Sequence, residues 1–189
     1  MKGVQIMNLI VFDTETTGLT YGDEILQLSI IDGNGKLLLD QLFKPTHKTS
    51  WFEAQKIHKI SPEMVKNCPN ISDYKKQIQK IVDQSELLVG YNINFDITFL
   101  ENIGIDFEGK KTIDIMKVFA PVYGEWSEYF GDYKWQKLTT CAAYFGYNYC
   151  PHLALEDVKA TLYAYNKLKQ LNKLDGYYET VNYTEDFWN

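Results

Sequence analysis

Two acids with only Thr14 between them, Asp13 and Glu15, close the apolar run in "LIVFDTETTGL" (Leu9–Leu19). The run reads as a buried strand, and a strand sends alternate side chains to the same face. Both carboxylates then point one way, close together. Like charges so placed repel, and burying them is costly unless something compensates.

More acids and a histidine stand downstream. Asp96 follows Phe95 at the start of a helical stretch, where the helix dipole already favours an acid. Asp157 opens the last helical stretch in the same manner, and His152 follows Pro151 just before it. Were His152 and Asp157 both helical, five residues would set them about 140° apart. With His152 on the loop that feeds the helix, its ring can swing back towards Asp157. An imidazole beside a carboxylate is how a general base is commonly held near neutral pH. Taken singly, each residue has a plainer reading: turn caps for Asp13 and Glu15, helix-start acids for Asp96 and Asp157, a surface histidine for His152.

The elements that must position these groups follow from periodicity. After the first strand, Glu24–Asp32 alternates, Gly33-Asn34-Gly35 turns, and Leu37–Phe43 returns, which predicts an antiparallel meander. Ile57, Ile60 and Val65 share a helical stripe broken by Ser61-Pro62. Asp73–Asp83 is an amphipathic helix with Ser72 as its expected N-cap. Glu86–Asn92 reads as a fourth strand buried on both faces, and Asn92 or Asn94 can cap the helix that carries Asp96. Thr112–Ile115 reads as a short fifth strand, and Trp135–Phe145 and Leu155–Leu171 as two further helices. The order βββ-α-β-α-β-α-α predicts an α/β fold with a mixed five-stranded sheet, three antiparallel strands and then parallel ones, flanked by helices. One domain over residues 1–189 is expected, with a core at about 8–171 and a tail at 172–189. Two aromatic, acidic stretches, Pro121–Lys134 and Gly176–Asn189, read either as surface loops packing their own rings or as platforms for unpaired bases.

Composition narrows the function classes. An apolar content of 45% with 15% aromatics belongs to a globular chain, and no apolar run is long enough to span a membrane. The N-terminus lacks the apolar region of a cleaved signal, and three cysteines without a CxxC pair point to free thiols in a reducing, cytoplasmic setting without disulfides. The net charge is −6 and every basic residue is lysine. Arginine forks for phosphate are therefore absent, and lysine must act as a point charge. That is not the footprint of a strong duplex binder. Two divalent cations in an acidic site would cancel four of the six negative charges.

Asp13-Thr14-Glu15-Thr16-Thr17-Gly18-Leu19, Gly90-Tyr91-Asn92-Ile93-Asn94-Phe95-Asp96 and His152-Leu153-Ala154-Leu155-Glu156-Asp157 stand in order. Together they resemble the three motifs of the DEDDh 3′→5′ exonucleases, the family of the proofreading subunit of bacterial replicative polymerases. The resemblance covers roughly Asn8–Leu171 and implies a ribonuclease H-like fold. It also implies Asp13, Glu15, Asp96 and Asp157 as ligands of two divalent ions, Mg²⁺ with Mn²⁺ as substitute, and His152 as general base. Thr16 would meet the terminal nucleotide, Leu19 would wedge against the last bases, and Asn92 and His58 would lie near the substrate; a surface helical histidine is the alternative for His58. Phe95 is expected in the core. Many relatives carry histidine where this chain has Tyr91, a difference bearing on substrate preference.

The implied activity is 3′→5′ hydrolysis of single-stranded DNA, releasing 5′-mononucleotides, beside a DNA polymerase or another replication or repair protein. Two alternatives stand next to it: an exoribonuclease of the same fold acting on RNA ends or oligoribonucleotides, and a catalytically silent nucleic-acid-binding module. Completeness of the four acids and the histidine speaks against the silent module.

Overall fold

The computed structural model describes residues 8–183. Its centre is a six-stranded mixed sheet. Strands β1 (Leu9–Thr16), β2 (Ile25–Asp32) and β3 (Leu37–Leu42) form the antiparallel meander. Strands β4 (Leu87–Gly90) and β5 (Lys111–Asp114) continue it in parallel from β1. The β2–β3 turn is held by Asp32, whose Oδ1 accepts from the N–H groups of Asn34 and Lys36 at 2.8 and 2.9 Å. Gly35 supplies the left-handed residue there, at φ 81°.

The stretch Pro121–Lys134 carries structure of its own. Its first residues end a helix, and Trp126–Ser127 (β6) pairs with Asp132–Tyr133 (β7) in a small hairpin. The main sheet has one strand more than the expected five. Tyr178–Thr180 (β8) pairs antiparallel with β5, giving the order β3-β2-β1-β4-β5-β8. This strand lies in the stretch Gly176–Asn189, which reads as loop because it is short, polar and at an edge; Thr184–Asn189 lies outside the described residues.

Helices cover both faces of the sheet. On one face α5 (Ile115–Tyr123), α6 (Leu138–Tyr144) and α7 (Ala154–Gln170) contribute Val118, Phe119, Cys141, Val158 and Leu162 to a core with Val11, Ile31, Val89 and Ile113. On the other, α3 (Lys75–Gln84) and α4 (Ile93–Asn102) bring Ile78, Val82, Ile97 and Leu100 against Ile10, Phe12, Leu28, Ile30 and Leu88. β4 is buried along its length, as its Leu-Leu-Val run predicts. The alternation along β1 decides the site: odd residues face α7, even residues face α4.

Three local expectations shift. Ser72 does not cap α3: it lies inside a 3₁₀ turn, Ile71–Tyr74, and the helix begins at Lys75. The helix expected from Trp135 begins at Leu138, leaving Trp135–Lys137 outside any helix or strand at the cleft. The stripe of Ile57, Ile60 and Val65 is incomplete, because α1 (Phe52–His58) ends at left-handed Lys59 and α2 (Pro62–Val65) starts afresh. Ile60 and Val65 join Trp51 and Leu26 in a small core, whereas Ile57 is exposed.

Candidate active site

Asp13, Glu15 and Asp157 converge. One oxygen from each lies within 4.8 Å of the others. The strand alternation puts Val11, Asp13 and Glu15 on the α7 side, and α7 begins just before Asp157. Thr14 faces the other way, towards α4, and there it meets Asp96. The Thr14 N–H and hydroxyl both donate to Asp96 Oδ1, at 2.8 and 2.7 Å. Asp96 thus reaches the site from the opposite face of the sheet, anchored by the residue between the two acids. All four carboxylates line one cleft of about 550 Å³, with His152 at its border.

The electrostatics are those of acids held together against their charge. Burial is the main cause of a raised pKa at every one of the four. Asp13 is pushed well above the usual carboxylate range by burial and then by Asp96, Glu15 and Asp157. Glu15 is pushed up to about 8 by burial, Asp157 and Asp96. Asp96 rises to about 7 through burial, although the Thr14 bonds oppose the shift. Asp157 is raised by burial against the His152 N–H and Tyr149. Among the described residues no lysine forms an ion pair with any of the four. What can neutralise the set is a proton or a cation, and hard carboxylate oxygens fit a divalent ion of the Mg²⁺ or Mn²⁺ kind.

His152 lies on the loop before α7, as Pro151 suggests, at φ 65°. Its main-chain N–H donates to Asp157 Oδ2 at 2.9 Å. The ring is not what meets Asp157. His58 is buried, not on the surface: Nδ1 accepts from the Ile60 N–H at 3.0 Å, and Nε2 therefore carries the proton it shares with the Thr16 carbonyl at 3.2 Å. Thr16 is itself buried, Leu19 stands 84% exposed, and Asn92 is exposed at the α4 N-cap with φ 64°. Asn92 offers no capping bond through its side chain. Phe95 is only half-buried: one side packs on Phe99 with ring centroids 4.8 Å apart, and it also lines the cleft.

The turn after Glu15 is tied down by Asp23, which accepts from the Thr17 hydroxyl at 2.9 Å, the Thr20 N–H at 2.9 Å and the Thr20 hydroxyl at 2.7 Å. A Cβ on Gly18 would sit 2.6 Å from an Asp23 oxygen, so any side chain there must push the Asp23 carboxylate out of this network. This network presents Leu19 and Tyr21 to solvent.

Three contacts escape a reading of the sequence alone. Asp114 Oδ1 caps α5 through Met116 and also accepts from the Asn92 N–H at 2.9 Å, fixing the second motif to the end of β5. A helix-start acid after a strand was the available signal. Tyr91 donates through its hydroxyl to the Gln136 carbonyl at 2.7 Å, tying the cleft wall to β4. The buried Tyr149 hydroxyl lies beside Asp157 without a partner in hydrogen-bonding geometry.

A family model described as "Exonuclease" (RNase_T) matches residues 10–165. The chain belongs to this exonuclease family. The domain is a 3′→5′ exonuclease of the DEDD type on a ribonuclease H-like fold. An uncharacterized exonuclease, CP81, of Escherichia phage 186 is 34% identical over 165 residues, covering 81% of this chain and 84% of that protein. The DNA polymerase III subunit epsilon of Rickettsia typhi is 35% identical over 98 residues, 49% of this chain and 42% of the subunit. Escherichia coli exonuclease I in complex with a dA16 oligonucleotide superposes with a TM-score of 0.73 at 19% identity, over 89% of this chain and 42% of that one. The exonuclease chain thus spans less than half the length of the epsilon subunit and of exonuclease I. Among the described residues no helix is long and apolar enough to cross a membrane, and Cys68, Cys141 and Cys150 are free thiols.

Proposed function

We propose that this chain, acting as one exonuclease domain, removes nucleotides from the 3′ end of single-stranded DNA and releases 5′-mononucleotides. The observation that carries the reading is the convergence of Asp13, Glu15 and Asp157 within 4.8 Å, in a cleft bordered by His152. Those three acids would hold divalent cations, Mg²⁺ with Mn²⁺ able to replace it. Asp96 would complete the set with Oδ2, since both Thr14 bonds fall on Oδ1. Bound divalent ions supply Lewis-acid stabilisation of charge on the scissile phosphate and the departing 3′ oxygen.

The remaining work falls to the protein's own groups. The exposed imidazole of His152 accepts the proton of the attacking water, while its main-chain N–H keeps Asp157 in place. His58 holds the Thr16 backbone that meets the terminal nucleotide. Asn92 borders the same cleft, and the exposed Leu19 side chain wedges against the last bases.

A site that reads phosphate through metal ions is blind to the sugar, and a contact to the 2′-hydroxyl would be needed to favour RNA. DNA is favoured by similarity to the polymerase III epsilon subunit. A chain of net charge −6 without arginine binds a free strand weakly, and more weakly as salt rises. Action beside a polymerase or another replication or repair protein would supply the missing local concentration.

The test uses 5′-labelled single-stranded DNA and matching RNA, with Mg²⁺ or EDTA, alongside Asp13→Ala and His152→Ala. A ladder shortening from the 3′ end, absent in EDTA and in both variants, supports the mechanism; the faster polymer identifies the substrate. Measurable binding with no shortening of either polymer would overturn it.

A further inference from the structure

Part of the cleft wall is built from a segment that the catalytic motifs do not account for. Between α5 and α6 the chain forms the β6–β7 hairpin and then lines the cleft with Trp135, Gln136 and Lys137, outside any helix or strand. Trp135 is 62% exposed there, and Lys137 is exposed and makes no ion pair among the described residues. An exposed indole on a catalytic cleft is apolar surface that solvent does not favour, and an unpaired ammonium two residues away is a free point charge.

The backbone carrying them is fixed. The Lys134 N–H donates to the Glu125 carbonyl at 2.8 Å, and Lys134 Nζ meets the Glu125 carboxylate at 2.8 Å. Gln136 Nε2 donates to the same carboxylate at 3.1 Å, and the Gln136 carbonyl accepts from Tyr91 at 2.7 Å. Trp135 is therefore displayed from a braced segment between Lys134 and Gln136, which lowers the ordering cost of anything that stacks on it. The hairpin beyond is acidic, with Glu128 and Asp132 near its tip, so a phosphate finds its cation at Lys137 and not on the hairpin.

We propose that Trp135 and Lys137 form a binding subsite for the single strand that trails behind the scissile nucleotide. The indole stacks on a base and the ammonium meets a phosphate. The occupant follows from continuity: a strand whose 3′ end sits among Asp13, Glu15 and Asp157 must leave through the cleft these residues share with Trp135 and Lys137. The subsite rests on the exonuclease reading above and adds to it a preference for strands longer than the catalytic centre alone can hold. Stacking accepts any base, so it carries length dependence without sequence preference.

The experiment measures kcat/KM for single strands from a dinucleotide up to about eight nucleotides, a span within the site sizes of single-strand grooves, in wild type, Trp135→Ala, Trp135→Phe and Lys137→Gln. In wild type the value climbs with length. Trp135→Ala flattens the climb by about 5- to 150-fold at the long end, the loss of one stacked base, and Trp135→Phe restores part of it. Lys137→Gln lowers the slope of log affinity against log salt by about 0.7, one phosphate contact. Length profiles of Trp135→Ala that superpose on wild type overturn the subsite while leaving the exonuclease reading intact. Should wild type hydrolyse nothing, anisotropy of a labelled strand in EDTA still decides: an unchanged Kd in Trp135→Ala overturns the subsite. Loss of self-association in place of strand affinity would assign the patch to a second copy and overturn it as well.

Discussion

His152 and Asp157 are joined through the main chain and not through the imidazole: the His152 N–H donates to Asp157 Oδ2 at 2.9 Å. The left-handed backbone at His152, φ 65°, belongs to the same loop as that bond. Both ring nitrogens are then without protein hydrogen-bond partners among the described residues, and the ring is exposed at the edge of the cleft. One residue thus offers two separate groups: a main-chain N–H fixed on the Asp157 carboxylate, and an exposed ring, the general base of the proposed mechanism.

Those two roles separate by substitution. His152→Ala and His152→Gly both remove the ring, and kcat falls about 100- to 10,000-fold, the usual worth of a general base. Mn²⁺ binding persists in both, because the N–H that holds Asp157 remains. Glycine adopts a positive φ without strain, so His152→Gly is more stable than His152→Ala by about 1 kcal/mol. Calorimetric titration with Mn²⁺ and urea unfolding check the two halves; loss of Mn²⁺ binding in the glycine variant would place the imidazole among the ligands.

The acid cluster makes the metal-free protein less stable as pH rises. Glu15 sits at about 8 against an ordinary 4.5, and Asp96 at about 7 against 3.8, with burial the main cause in both. Between pH 4 and 8 the folded state therefore binds more protons than the unfolded state, and stability falls as pH increases. In EDTA the urea midpoint is expected to be higher at pH 5.5 than at pH 8, and Mg²⁺ or Mn²⁺ to recover the difference at pH 8. Asp13→Asn removes an acid that burial and three neighbouring carboxylates disfavour in its charged form: it raises metal-free stability at pH 8 and abolishes the rise in Tm on adding Mn²⁺. An unchanged Tm in wild type with Mn²⁺ would contradict the divalent site.

Much of this arrangement is legible in the sequence because it follows from periods. Alternation in "LIVFDTET" by itself puts Asp13 and Glu15 on one face, and the Pro151–His152 pair marks where α7 must begin. What the sequence hides is partner choice. That Asp96 binds Thr14 follows only once α4 is seen on the face opposite α7. His58 reads either as a residue near the substrate or as a surface helical one; that it is buried at the end of α1, against the Thr16 carbonyl, shows only in the fold. The edge strand Tyr178–Thr180 and the two-residue ladder of β6 and β7 are too short for a period to register, and their pairing is decided by tertiary neighbours.

His58 works against the acid trend. Burial is the main cause of its lowered pKa; the charge of His152 adds to it, and the Thr16 carbonyl opposes it. Protonation would also break the bond that Nδ1 accepts from Ile60. The unfolded state, with histidine near 6.5, binds the proton first, so the contribution of His58 is full above about pH 6.5 and drains as pH falls below it. His58→Ala is expected to cost about 1–3 kcal/mol at pH 7.5, the penalty of an orphaned buried carbonyl and N–H, and less at pH 5.5. Urea midpoints of wild type and variant at both pH values give the comparison; an equal cost at both would mean that His58 does not titrate between them.

Tyr91 stands where many relatives carry histidine, and its hydroxyl spans from the end of β4 to the Gln136 carbonyl at 2.7 Å. Burial pushes the phenol well above its ordinary pKa, so it stays a neutral donor throughout the working range of pH. The bond braces the segment that carries Trp135 and Lys137, and it touches none of the four acids. Tyr91→Phe keeps the half-buried ring packed against the core and deletes only the hydroxyl, at a cost of about 0.5–1.5 kcal/mol in stability. The loosened wall raises KM for single strands several-fold and leaves kcat nearly unchanged, since the interaction lost is felt equally in bound substrate and transition state. Steady-state kinetics on a single-stranded oligonucleotide distinguish this from a catalytic role: a fall in kcat with KM unchanged would place the Tyr91 hydroxyl in the chemistry.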